Sequence, residues 1–196
     1  LRALAHLQGF RERLVVVGGT AHRLFPMHEL GTAPPWELLT TEDVDLAAHR
    51  DLELTHGNSQ ELLDTLLAAG FKETIAGADR ARHRYVLADA RGYLEFIAPR
   101  IGGGQMRDGS PISALHFGGV VAEVLPEVKL LLHAPWTATL EAGVHISIVN
   151  PIAYLLQKLL VLPERRPPKR AKDLLYVYDT LVIFNARLPE LRERSA

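Results

Sequence analysis

The apolar residues of this chain change their spacing from segment to segment, and the spacing outlines the elements. "LVVV" at Leu14–Val17 is apolar without alternation, as expected of a strand buried on both faces. A short helix over residues 2–12 precedes it. Gly18-Gly19 ends the strand before a second short helix from about Thr20 to Phe25, and residues 26–36, with Pro26, Gly31, Pro34 and Pro35, read as an exposed loop. A second strand covers Val44–Ala48. The helix predicted over Gln60–Ala69 carries its own punctuation: Asn58 can cap it, Glu61 follows three residues later as in a capping box, and Gly70 occupies a left-handed stop.

A hairpin is predicted next, with "HRYVLA" and "GYLEFIAP" joined by Asp89-Ala90-Arg91-Gly92 and followed by a flexible "IGGGQMRDGSP". "VVAEVL" and the pair "WTATLE" and "VHISIV" around Ala142-Gly143 are further strands. The chain then turns helical. Asn150 and Pro151 suit N-cap and first helical positions, Pro163 stops that helix, and Pro167-Pro168 introduces a longer one from about Lys169 to Ala186. Strands interleaved with helices, then helices alone, predict an α+β (mixed α/β) fold with a helical C-terminal part.

Composition narrows the class. With 196 residues, 47% of them hydrophobic, the chain can bury one sizeable core. The net charge of −1 gives no general reason to expect a nucleic acid or an anionic membrane as partner. The charge is uneven, however: residues 1–157 hold 13 Lys/Arg against 18 Asp/Glu, net −5, and residues 158–196 hold 9 against 5, net +4. An acidic body and a basic tail can meet around one anionic ligand that brings metal ions, or the tail can simply present a solvated face. The absence of cysteine excludes disulfides, thiolate metal sites and thiol nucleophiles. No apolar run approaches about 18 residues, so neither a membrane span nor a signal peptide is expected, and a cytoplasmic location follows by default.

The chemistry lies in two fragments. In "EDVDL", Asp43 and Asp45 are two apart, and on a strand they point to the same side, about 6 to 7 Å apart along the chain. Val44 and Leu46 then point into a core, so an otherwise buried strand presents two mutually repelling acids. Divalent cations between them would explain the arrangement; two solvated acids at a strand end would also produce it. The second fragment, Gly18-Gly19-Thr20, exposes backbone N–H groups at a helix start and adds a hydroxyl, a setting for phosphate, although Gly-Gly turns are common. Glu95 in "YLEFIAP" is a third acid amid apolar strand sequence, with either a metal or a neighbouring arginine such as Arg84 as its partner.

Gly18-Gly19 after a strand, Thr41-x-Asp43-Val44-Asp45 on the next, and then an acid in an apolar strand resemble the polymerase-beta-like nucleotidyltransferases. "GGTAHRL" and "TTEDVDLAA" look most like the minimal bacterial branch, including toxin-type enzymes of abortive-infection systems and antibiotic nucleotidyltransferases. Lys158, Arg165 or Arg166, and Lys172-Asp173 match a tail pattern of the toxin-type members. The resemblance implies a mixed sheet flanked by helices, with residues 1–149 as catalytic domain and 150–196 as a helical subdomain packing on it. It implies that Asp43, Asp45 and Glu95 hold two Mg²⁺ ions, with Mn²⁺ as an alternative, and that Glu95 serves as base. It further implies that Gly18, Gly19, Thr20 and Thr41 bind the nucleotide and that Lys158 and Lys172 neutralise its triphosphate. The reaction would move a nucleoside monophosphate from an NTP to a hydroxyl acceptor: an RNA end such as tRNA, a protein, or a small molecule, with an antitoxin as a possible partner. Two departures stand out: Leu39 replaces an arginine found in many relatives, and a Pro-rich insert lengthens the gap from Gly19 to Asp43. Arg23 can supply the missing charge or lie on the surface. A rival reading is a nucleotidyltransferase-fold module that has lost catalysis.

The nine histidines show no zinc spacing. His22 and His28, near the proposed site, are substrate contacts or surface residues, and Tyr154, Tyr176 and Tyr178 are expected to pack helices. Trp36 is a candidate wall of an acceptor pocket.

Overall fold

The computed structural model describes residues 2–49, 59–77, 82–87, 92–100, 112–140 and 143–194. Asn58, the "IGGGQMRDGSP" stretch, the turn residues 89–91 and Ala142 lie outside them. The predicted first helix is split: α1 spans Arg2–Ala5, and a 3-10 turn at Gln8–Phe10 follows around Gly9, a poor helix former. Strand β1 (Leu14–Val17) is buried along its whole length and runs straight into α2 (Gly18–Leu24). β2 is Asp43–Ala48, α3 Glu61–Ala68, β3 Phe71–Ala76, β4 Arg82–Leu87 and β5 Tyr93–Pro99. β6 (Ala114–Phe117), β7 (Val120–Leu125), α4 (Val128–Leu131), β8 (Trp136–Thr139) and β9 (His145–Ile148) follow. The chain closes with α5 (Pro151–Val161), α6 (Pro167–Ile183) and α7 (Leu188–Arg194).

These strands form one mixed sheet in the order β3-β4-β5-β2-β1-β9-β8, with β7 beside the second half of β5 and β6 beside β7. β2 lies between β1, antiparallel, and β5, parallel. The β2–β5 register places Asp45 beside Glu95, and the β1–β2 register places Val17 beside Asp45. Because side chains alternate across a strand, Asp43, Asp45 and Glu95 share one face, while Leu46, Leu94 and Phe96 enter the core on the other. The sheet is thus a mixed α+β scaffold whose two central strands carry the acids.

Asn150 caps α5 as expected. Its side chain accepts a hydrogen bond from the Ala153 N–H at 2.8 Å and donates to the His133 carbonyl at 2.6 Å, tying the helix start to the end of α4. At α3 the N-cap residue is Gln60, with no side-chain cap bond. Two strands and two helices, α4 and α7, go beyond the sequence expectation. β3 buries only Phe71 firmly and leaves Ile75 exposed, so it lacks apolar alternation. β6 is only four residues, joined to β7 by Gly118-Gly119 at φ +56° and +82°, a tight hairpin turn. α4 is a single turn. Among the described residues, no helix is long and apolar enough to cross a membrane.

Candidate active site

The Gly-Gly turn is dictated by what surrounds it. Gly18 has φ +64°, and a Cβ there would collide with Asp45 Oδ2. A Cβ on Gly19 would lie 2.6 Å from Tyr176 Oη and 2.8 Å from Thr41 Cγ2. The chain therefore leaves β1 through a gap bounded by β2, α6 and the segment before β2, where a side chain larger than hydrogen does not fit. Thr20 Oγ1 donates to the Asp43 carbonyl at 2.9 Å, which pins the start of α2 to the start of β2. That bond turns the Thr20 hydroxyl toward the sheet.

Beside this turn the acids crowd one another. Burial first, and then the Asp43 and Glu95 carboxylates, push the Asp45 carboxyl up to about 7, against the opposing pull of Lys158 and Lys172. Glu95 Oε1 accepts from Arg84 Nε at 2.8 Å, so the arginine considered from sequence as its partner does hold it. The Arg84 guanidinium also lies over the Tyr93 ring, 4.1 Å from its centroid. Among the described residues, no three Asp, Glu or His groups are placed to hold one ion together. The donor set still fits Mg²⁺: Asp43 and Asp45 crowd two carboxyl groups on one face, and this ion is commonly held by one or two carboxylates with waters and phosphate oxygens completing the shell.

The opposite wall is cationic. A cleft of about 380 Å³ has Gly18, Gly19, Thr41, Asp43, Asp45 and Glu95 on its sheet side and Lys158, Arg165, Lys169 and Lys172 on its helix side. Asp173 organises that wall. Its carboxylate takes Lys158 Nζ at 2.8 Å on one oxygen and Arg165 Nε at 3.1 Å on the other, with the Lys158 and Asp173 side chains nearly buried. Lys158 also sits within 5.4 Å of the Tyr154 and Tyr176 ring centroids, and Lys172 5.5 Å from that of Tyr176. The basic tail and the acidic body thus meet across one cleft.

Of the residues singled out from sequence, Gly18, Gly19, Thr41, Asp43, Asp45, Glu95, Lys158 and Lys172 line this cleft, and Thr20 stands immediately behind it. Arg23 is exposed on α2 and does not line it. His22 is neither a surface residue nor a cleft residue. It is fully buried among Phe25, Tyr154 and Tyr176; burial and then the Lys158 charge push it down to about 4, and its Nε2 lies 3.5 Å from Asp179 Oδ2. His28 stacks on Trp136. Trp36 donates from Nε1 to Asp179 Oδ1 at 3.0 Å and stacks on Tyr178, fastening the Pro-rich loop to α6. Lys169, Arg82 and Glu123 also reach the cleft, though sequence reasoning left them aside. The place of Lys169 one turn before Asp173 on α6 is the signal that marks it.

The chain is similar in structure to an antigenic nucleotidyltransferase-like protein from Paracoccidioides brasiliensis, with 19% identity over 92% of this chain and 76% of that one and a TM-score of 0.47. It is also similar to the antibiotic-resistance factor ANT(2'')-Ia, with 13% identity over 98% of this chain and 90% of that one and a TM-score of 0.47. No curated protein matches the chain. The sequence profile of the nucleotidyltransferase family matches residues 1–196, the span that contains the glycine turn, the acids and the cationic wall, and the chain belongs to that family.

Proposed function

We propose that the protein is a divalent-metal-dependent nucleotidyltransferase that moves a nucleoside monophosphate from an NTP to a hydroxyl acceptor. The observation that carries this reading is the placement of Asp43, Asp45 and Glu95 on one face of the sheet, across a single cleft from Lys158, Arg165, Lys169 and Lys172. Such a cleft suits a triphosphate: the cations neutralise its β- and γ-phosphates, the Gly18-Gly19 backbone lets it approach β1, and the acids face the α-phosphorus. Mg²⁺ bound at Asp43 and Asp45 would stabilise charge on the attacking and leaving oxygens. Glu95 would take the acceptor proton, with Arg84, which donates to its Oε1, fixing its orientation. Lys158 and Arg165 act as a unit because Asp173 holds both. The same Lys158–Arg165–Asp173 grouping supports a place near the toxin-type branch.

A second reading, a binding module without catalysis, is favoured by Leu39 at the position of the usual arginine and by the hold of Arg84 on Glu95. Calorimetric titration separates the two. Each of the four NTPs is titrated with Mg²⁺ into wild type and into Asp43→Ala/Asp45→Ala. Metal-dependent binding that disappears in the variant is the expected result; equal binding by both proteins, or none by folded wild type, would reject the metal-site reading.

A further inference from the structure

The sheet forks at Glu95. On one side of β5, Tyr93 and Leu94 pair with β4, whereas Phe96 to Pro99 pair with β7, so β4 and β7 diverge at the residue between them. The wedge is a cavity of about 360 Å³, lined among others by Arg82, His83, His116 and Glu123. Arg82, Glu95, Ile97 and Glu123 line both this cavity and the active-site cleft, so the two adjoin along the Glu95 side chain. Strand order fixes their relation: the Gly18-Gly19 turn belongs to β1, the aspartates to β2, Glu95 to β5, and the fork lies beyond it. The glycine turn and the fork therefore flank the acids from opposite sides, as in-line displacement requires of leaving group and nucleophile.

We infer that the fork cavity is the acceptor site and that it takes a compact, neutral, polyhydroxylated small molecule of about sugar size, not the end of a nucleic acid. This inference rests on the nucleotidyl-transfer reading above. Its volume lies near the lower bound of about 300 Å³ for small-molecule pockets. Its lining carboxylates each face an arginine, Glu95 pairing with Arg84 and Glu123 facing Arg82 at 3.8 Å, and His83 is hydrogen-bonded to Glu73 at 2.7 Å. Such a wall offers many hydrogen-bonding groups with little net demand for a charged ligand. Phe96 turns its ring into the core against Tyr85 and Phe117, so that ring is not offered to a ligand. In the reaction the acceptor oxygen bonds to the α-phosphorus as the bond from that phosphorus to the bridging oxygen breaks. Pyrophosphate leaves with the electron pair, and the hydroxyl proton passes to Glu95 and on to water.

The test uses α-labelled NTP and Mg²⁺ with two sets of acceptors, a panel of neutral monosaccharides and polyols and a short RNA with a free 3′ end. It compares wild type with Ala114→Trp and, separately, His116→Trp, each of which fills the fork from an exposed position on β6. Calorimetry of Mg–NTP binding runs alongside. The expected result is label on a polyol with wild type, at least tenfold less with either variant, and Mg–NTP affinity within about twofold throughout. Label on RNA instead, label on no polyol despite normal Mg–NTP binding, or polyol labelling that survives both variants would overturn the acceptor assignment and leave nucleotidyl transfer standing. Failure of wild type to bind Mg–NTP would remove the parent reading, and the assignment with it.

Discussion

Gly18 and Asp45 are matched to each other, and two predictions follow from the pair. Gly18→Ala places a methyl against Asp45 Oδ2 in a backbone region that L-residues disfavour. It should destabilise the fold by roughly 1–3 kcal/mol and weaken NTP binding at least tenfold, as read by urea denaturation and calorimetry. Gly19→Ala, limited to close approach to Tyr176 and Thr41, should be milder in stability. The second prediction concerns pH. The metal-free folded protein keeps the Asp45 proton to about 7, whereas an unfolded aspartate releases it near 3.8. The raised carboxyl therefore favours folding below pH 4, and that contribution is lost as pH rises through 7. Asp45→Asn should raise the Tm of the metal-free protein at pH 8 and flatten its dependence between pH 5 and 8, at about 2–4 °C per kcal/mol for a chain of this size. On the proposed reading Mg²⁺ would compete with that proton, so Mg²⁺-dependent NTP affinity should climb between pH 6 and 8. The acid pair was legible in "EDVDL" because strand alternation alone puts Asp43 and Asp45 on one face. The pairing of Glu95 with Arg84 stood only as an alternative, since it depends on which strand lies beside β5, a nonlocal fact.

At the scale of elements, α5 and α6 form the cationic wall through one buried anion. Removing Asp173 leaves the Lys158 ammonium nearly buried without its carboxylate, and Asp173→Ala should lose roughly 3 kcal/mol of stability. The double variant Lys158→Met/Asp173→Leu should recover most of that loss in urea denaturation without recovering NTP binding, because the cleft then lacks the Lys158 ammonium and the carboxylate that orients Arg165. Asn150→Ala removes the cap of α5 and its bonds to the end of α4, and should lower stability by about 1–2 kcal/mol. That cap was readable from Asn150-Pro151, as was the apolar run of β1. β3 was hidden because most of its side chains face solvent, leaving no period of two to read. β6 was missed: the Gly118-Gly119 pair before "VVAEVL" is a hairpin signal that sequence reasoning left unused, and the short "ALHF" segment has little pattern. Burial of His22 depends on α6 folding back over α2, which local spacing does not encode.

Across the whole molecule, the charge asymmetry of the sequence becomes a cleft with an acid face on the sheet and a base face on the helices. A triphosphate with divalent ions satisfies both faces together, and either face alone repels part of that ligand. NTP affinity should accordingly fall as NaCl is raised from 0.05 to 0.5 M, more steeply in wild type than in Lys172→Gln. The fold places the glycine turn, the acids and the fork on neighbouring strands of one sheet, so the site is built on rigid elements, and the helical arm completes it. The most direct test of this account is an electron paramagnetic resonance titration of Mn²⁺, standing in for Mg²⁺, into the protein with a non-hydrolysable NTP. The account predicts nucleotide-dependent loss of the free Mn²⁺ signal with wild type and none with Asp43→Asn/Asp45→Asn. Mn²⁺ that stays free beside wild type, or that the double variant captures equally well, would contradict it.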